Sequence, residues 1–392
     1  MKRVATSRQA TGHGALLLLV LAFAGTSAAT FDFNGRASSW LGASRDSSYR
    51  LLAGIRYLPE ARFSTAISEQ FGFDAEASVN GFASADARPP DSARREARIK
   101  PYRGFVRLSS SQFEARAGLQ KINFGSATLL RPLMWFDRVD PRDPLELTDG
   151  VCGLLARYYF QNNINVWAWG LLGNSSPKGW EQLGSVRWKP ELGGRVQIPF
   201  PRGEAAATYH HRTVDWSHVL MKIPEMLDEQ AEDRFGVDAK ADIGIGLWAE
   251  AVFSHETRRI SGATGWGGPW TRIATAGVDY TFGVGGGLGV MAEHMLVSSG
   301  SSEPFGKGHG PDAHVSALML SYPIGILDNL RAIALYDWRG KGAYRYLAWQ
   351  RTLDSWLFSV SAFWNPDTPV SLGAPGGGAA GKGIQLMVVF NH

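Results

Sequence analysis

The chain is short of cysteine and of long apolar runs, and each shortage closes off a class of protein. Its 392 residues contain a single cysteine, Cys152. One thiol can neither close an internal disulfide nor build a Cys-rich metal site. No CxxCH haem-attachment motif occurs either. Cys152 opens the apolar run VCGLLARYYF and reads as a buried, inert thiol. Past the first thirty residues there is no stretch of about twenty apolar residues, the length a membrane-crossing helix needs. A GxSxG nucleophile motif is missing as well. His210 and His211 are adjacent on a strand pattern, so they point to opposite faces and cannot share a metal. The HGPDAH stretch at 309–314 matches no standard metal spacing. The chain therefore reads as a non-enzyme with no cofactor and no metal.

The N-terminus supplies the compartment. Lys2, Arg3 and Arg8 precede the apolar run Ala15–Ala24, and Ser27 and Ala29 stand at the spacing a signal peptidase reads. Residues 1–29 are expected to be a cleaved secretory signal peptide, leaving 30–392 as the mature chain. That leader holds three of the 40 basic residues and none of the 36 acidic ones, which leaves 37 against 36. A mature chain so near neutrality implies no nucleic-acid partner.

What the mature chain has in plenty is alternation. Segments of about ten residues alternate apolar and polar side chains, separated by Gly, Pro, Asn, Asp and Ser, which is the strand-and-turn pattern. In GKGIQLMVVF, Ile384, Leu386, Val388 and Phe390 share one face, opposite Gln385, Met387 and Val389. Tyr209 opposes His210 and Arg212, and Val278, Tyr280 and Phe282 oppose Asp279 and Thr281. One charged face and one apolar face fit a wall between water and lipid. Strands are expected to begin near 31, 49, 70, 101, 112, 151, 163, 191, 203, 233, 245, 270, 287, 312, 328, 341, 355 and 382. Short connections such as 109–111, 161–163, 201–204, 242–246 and 283–287 fall at one end. Long ones, at 86–99, 121–149, 173–190, 214–232, 257–269, 299–311 and 365–381, fall at the other. The expected fold is an all-β closed antiparallel transmembrane barrel of about 18 strands, or 16 if the stretch 31–70 is overcounted. Aromatic pairs near segment ends (Tyr158 and Tyr159, Trp167 and Trp169, Tyr336 and Trp338, Trp356 and Trp364) are expected to form interfacial girdles.

The longest connection, 121–149, joins the fifth and sixth strands. Pro132, Pro141 and Pro144 exclude a central strand there. The apolar stretch Leu129–Phe136 favours packing over exposure to water. Its charged residues are Arg131, Asp137, Arg138, Asp140, Arg142, Asp143 and Glu146. On the strands, Arg103, Arg107, Arg116, Arg157, Arg195 and Arg212 fall on the polar face and read as a basic pore lining. Such arginines either select anions or brace the wall by pairing with acids on neighbouring strands, and the spacing leaves both open.

The stretch ARAGLQKINFGSATLLRPLMWFDRVDPRDPLELTDGV resembles a segment of porin-like outer-membrane proteins, the alginate-export type included. The likeness is carried by Gly118, Gln120, Arg131, Pro132, Trp135, Asp149 and Gly150. The terminal strand ending in Phe390 resembles the signal such barrels present to their assembly machinery, although Asn391 and His392 follow it. This resemblance implies that 121–149 folds into the lumen as a constriction loop, as in general porins. The barrel reading as a whole points to a bacterial outer-membrane location, lipid around the barrel and passive diffusion of small hydrophilic solutes, with a preference for anions if the lumen arginines select them. The resemblance leaves homo-oligomer and monomer both open, since general porins trimerise while larger exporters are often monomers. Export of an acidic polysaccharide, or a barrel that sheathes a partner protein, are the alternatives.

Overall fold

Alternation with a period of two places successive side chains on opposite faces of a pleated strand, and Gly, Pro and Asn interrupt it where the chain must turn. A computed structural model describes residues 29–46, 48–88, 93–217, 228–257, 270–306, 312–367 and 381–392. The expected signal peptide lies outside the described residues, apart from its last position. Eighteen strands form. The first six are β1 (Thr30–Arg45), β2 (Tyr49–Ala66), β3 (Gly72–Ala87), β4 (Arg94–Ser109), β5 (Phe113–Gln120) and β6 (Val151–Tyr159). The next six are β7 (Asn165–Leu171), β8 (Glu191–Phe200), β9 (Gly203–Asp215), β10 (Glu229–Asp242), β11 (Gly246–Glu256) and β12 (Trp270–Phe282). The last six are β13 (Leu288–Ser301), β14 (Ala313–Ile324), β15 (Asp328–Asp337), β16 (Gly342–Thr352), β17 (Trp356–Asn365) and β18 (Gly381–Asn391).

Each strand pairs antiparallel with the next, and β18 returns to pair with β1 from Arg36↔Asn391 to Arg45↔Lys382. Every edge is thereby paired, which is how a spanning sheet satisfies its backbone without water. The eighteen-strand expectation holds, and sixteen of the strands begin within two residues of their expected positions. The fourth begins at Arg94, seven residues early, and the tenth at Glu229. The charged run RREARIK, read as a loop, pairs with Asp86–Asn80 instead, and the register shifts beside Ser78 where Pro101 interrupts the ladder. Charges are no obstacle to pairing where a hairpin stands in water.

The two ends of the barrel differ. At one end all connections have five residues or fewer, for example 110–112, 201–202 and 353–355. The other end carries the long ones, including 121–150 and 172–190, together with two short ones at 46–48 and 338–341. Parts of five expected long connections, 89–92, 218–227, 258–269, 307–311 and 368–380, lie outside the described residues.

The faces follow the expected parity. Ile384 and Leu386 are exposed while Met387 and Val389 are buried, and Tyr209 is exposed while His210 is fully buried. Two readings are corrected. Trp167 and Trp169 do not belong to a girdle: Trp169 is buried and both pack against Phe124 on the polar face. Both faces of β7 are apolar, so alternation alone cannot say which one meets lipid. Cys152 is exposed, because the parity of β6 puts it with Leu154 rather than with the buried Val151 and Leu155.

The seam between β1 and β18 is extended by the last residue. The Gly35 amide donates to the His392 carbonyl and the His392 amide to that of Gly35, each at 3.0 Å. The His392 ring stacks on Tyr57 at 5.9 Å and lies where a side chain of residue 35 would stand: a Cβ there would sit 2.2 Å from Nε2. Gly35→Val is therefore expected to displace the ring and loosen the seam, at a cost of about 1–3 kcal/mol. The folded, compact form of the protein in SDS should then be lost at a lower temperature. An unchanged transition would show that the ring adds nothing to closure.

Candidate functional site

The site begins with two carboxylates on the polar face. Glu293 on β13 accepts three consecutive backbone amides of the long connection: Thr128 at 2.7 Å, Leu129 at 3.0 Å and Leu130 at 2.6 Å. It also accepts the Trp248 indole N–H at 3.0 Å. Trp248 reaches it across Gly277, whose Cβ would fall 2.2 Å from the indole ring, so the position admits no larger residue. Glu250 on β11 accepts the amides of Ala127 at 2.7 Å and Leu133 at 3.1 Å. Backbone without a strand partner must find one elsewhere, and here two wall glutamates supply it.

The apolar part of the connection is buried, as its composition predicts: Leu130, Leu133, Met134, Trp135 and Phe136 lie below 5% exposure. Phe124, Trp135 and Phe136 form an aromatic cluster with Trp167, Trp169 and His210. The Trp169 indole can only donate, so at 3.2 Å it makes His210 Nδ1 an acceptor. His210 Nε2 then carries the proton and donates it to Glu191 at 3.2 Å. The 172–190 connection, which looked like an ordinary loop in sequence, adds Lys178 and Glu181. Lys178 pairs with Glu191 at 3.0 Å, and Glu181 receives Arg212 at 3.1 Å and Arg234 at 3.0 Å. The Trp180 indole donates to the Arg131 carbonyl at 2.7 Å, tying the two connections together.

The loop charges divide by role. Arg131 is internal, holding Asp137 at 2.9 Å and the Asn123 side chain at 2.6 Å. Arg138 donates to the carbonyls of Gly179 and Glu181. Asp143 accepts the amides of Leu145 and Leu147, shaping a turn that leaves Glu146 exposed with a φ of 46°. Asp140 and Arg142 pair with each other at 2.8 Å.

The six strand arginines also divide. Arg195 makes a two-pronged pair with Asp238 at 2.5 and 2.9 Å, and Arg212 is held between Glu181 and Glu232; all five are buried or nearly so. Arg103 is buried and donates to the Thr148 carbonyl at 3.1 Å. Arg107, Arg116 and Arg157 gather round Glu114 at 3.8, 3.0 and 3.3 Å, and Arg107 also takes Asp74 at 2.9 Å. That group stands near the short-turn end, beside 110–112 and 160–164.

Sequence reasoning missed the wall residues that meet the tip of the connection. Arg331 donates to the Pro141 carbonyl at 3.3 Å, Tyr346 to the Arg142 carbonyl at 2.8 Å, and Arg36 to the Leu145 carbonyl at 3.5 Å. Arg56 lies over Trp40 and Phe82. Among the described residues, Arg36, Arg56 and Arg331 have no carboxylate within ion-pair distance. A cavity of about 320 Å³ opens between this tip and the wall. Asp140, Arg142 and Asp143 line one side, and Arg56, Ser359, Ser361 and Gln385 the other. Only the parity of β2 could have pointed to Arg56, since Tyr57 beside it faces the other way.

No protein-family model matches the sequence, and no curated protein matches it. Solved structures do. OccK7 (OpdD) of Pseudomonas aeruginosa superposes with a TM-score of 0.53 at 12% identity, covering 93% of this chain and 98% of that one. OccAB1 of Acinetobacter baumannii gives 0.54 at 12% identity, over 93% and 96%. OccK5 (OpdH) of Pseudomonas aeruginosa gives 0.52 at 12% identity, over 92% and 98%. At such identity the likeness is one of fold: a closed antiparallel barrel of eighteen strands.

Proposed function

We propose that this chain is an outer-membrane channel for small hydrophilic solutes, with its aperture set by residues 121–149 folded into the barrel. One observation carries the reading. The connection touches β1 at Arg36, β4 at Arg103, β11 at Glu250, β13 at Glu293, β15 at Arg331 and β16 at Tyr346. These strands are spread round the circumference of a closed barrel. A single segment reaches them together by running across the interior, so the polar face is the inner one and the apolar face meets lipid. The opening left beside 140–144 is the size filter.

The same opening supports a preference for anions. Asp140 is neutralised by Arg142, and Asp143 lines the opening opposite Arg56; Arg36 and Arg331, which hold the connection beside it, carry no paired acid among the described residues, so arginines exceed acids there by two. Uncompensated arginines at a constriction favour anions over cations. Arg56→Glu is expected to lower the anion-to-cation permeability ratio several-fold in planar bilayers. Neutralising Arg107, Arg116 and Arg157 together uncovers Asp74 and Glu114 and is expected to move the ratio the same way. Reversal potentials in a salt gradient read both, and identical values for wild type and Arg56→Glu would reject the preference. Delivery fits the ends of the chain: a signal peptide at 1–29 for export, and β18 as the strand offered to the assembly machinery.

A further inference from the structure

Five exposed residues stand side by side on the apolar face at the long-connection end. In register across five neighbouring strands, Arg345 opposes Trp364, Trp364 opposes Lys382, Lys382 opposes Arg45, and Arg45 opposes Tyr49. Strand parity puts them on the same face as the exposed Leu41, Leu51, Leu347 and Ile384. Paired strands lie about 4.8 Å apart, so the three cations fall within an arc of about 15 Å. The Arg45 guanidinium sits 5.0 Å from the Tyr49 ring centre.

These cations are left without acids. Among the described residues, no carboxylate lies within ion-pair distance of Arg45, Lys382 or Arg345. The stretch 368–380 contains no Asp or Glu, although Asp367 precedes it. The opposite end behaves differently. There Arg351, on the same face of β16, is paired with Asp328 at 2.8 Å. An unpaired cation on a lipid-facing wall is unfavourable unless the membrane itself supplies the anion. Basic clusters at the membrane surface attract anionic headgroups, and Trp and Tyr settle at the headgroup level.

We propose that this row docks the anionic phosphate headgroup of a lipid in the leaflet on the long-connection side. Arg45, Lys382 and Arg345 take the phosphate oxygens, while Trp364 and Tyr49 pack against the adjoining backbone of the headgroup. The inference rests on the reading of the barrel as membrane-spanning, and it adds a lipid contact unrelated to the aperture.

The test uses the full folded chain in neutral detergent, titrated with an acylated, twice-phosphorylated glucosamine disaccharide and followed by native mass spectrometry. The same lipid stripped of both phosphates is the reference. Each surface cation is worth roughly a fivefold change in affinity, so Arg45→Gln/Arg345→Gln/Lys382→Gln should weaken binding about 100-fold. Lys382→Gln alone, the fallback if the triple variant does not fold, should weaken it about fivefold. Arg351→Gln should leave binding within twofold of wild type. The dephosphorylated lipid should bind wild type no better than the triple variant binds the phosphorylated one. Equal binding by wild type, Lys382→Gln and the triple variant, or equal binding of the two lipids, overturns the proposal. So does displacement of the lipid by millimolar inorganic phosphate, which would assign the row to a free ion. Conductance in bilayers should be the same in all these variants. Its absence in wild type would count against the channel reading, whatever the lipid results.

Discussion

Glu250→Ala combined with Glu293→Ala is expected to raise single-channel conductance several-fold and to make the open channel noisy. The two carboxylates accept six hydrogen bonds, five of them from the backbone of residues 127–133. Hydrogen bonds to a charged acceptor contribute about 1.5–3 kcal/mol each, and a buried donor left without a partner costs about 1–3 kcal/mol. Even after discounting for shared geometry, removing both acceptors takes away roughly 5 kcal/mol or more of anchoring. The apolar cluster round Phe124 and Trp135 remains, so the segment should stay associated but move, and the aperture should fluctuate. Glu293→Gln should fall between, since its amide oxygen still accepts while its NH2 faces donors. Planar-bilayer recordings with a series of sugars would read both aperture and noise. Wild-type conductance and a wild-type size limit in the double alanine variant would mean that 121–149 does not set the passage.

The second large effect concerns stability. Arg195 and Asp238 have side chains 4% and 3% exposed, and their two contacts are 2.5 and 2.9 Å long. Arg195→Met should destabilise the barrel by about 3–5 kcal/mol, because it leaves a buried carboxylate with little besides the Ser126 hydroxyl at 3.4 Å. Replacing both partners, Arg195→Met with Asp238→Leu, should recover most of that loss, since an apolar pair of similar size needs no desolvated charge. Denaturant unfolding in detergent, followed by tryptophan fluorescence, compares the two. If the double variant is as unstable as the single one, the pair matters for its shape and not for its charge.

The wall was legible in sequence because a strand's period of two is written one residue at a time. Tyr209 beside His210 announces two faces, and Pro201-Arg202 announces a turn. The charged start of β4 was not legible, since RREARIK has the composition of a loop and only its partner strand shows it paired. The candidate site was half legible. Prolines and the run Leu129–Phe136 marked the connection as packed, and Arg131 and Asp137 stood out as charges. The groups that hold it did not stand out. Backbone amides have no letter of their own, and Glu250 and Glu293 lie more than a hundred residues from the amides they bind. Nothing in the sequence singles out Arg36, Arg56 and Arg331, because what sets them apart is the lack of a paired acid among the described residues, a property of three-dimensional neighbours. Trp167 and Trp169 were assigned to the wrong side for the related reason that β7 is apolar on both.

The seam has a consequence for how such a chain reaches its final form. Seventeen of its strand pairings join neighbours in sequence and can form as local hairpins; the eighteenth joins Arg36–Arg45 to Lys382–Asn391. Contacts between such distant partners must wait for the loop entropy of nearly the whole polypeptide to be overcome, and they dominate the time a topology takes to form. Until then the intermediate is an open curved ribbon with two bare borders, each able to capture a strand from another molecule. Closure is thus the last step by geometry, and a chain stalled one strand short is a template for aggregation.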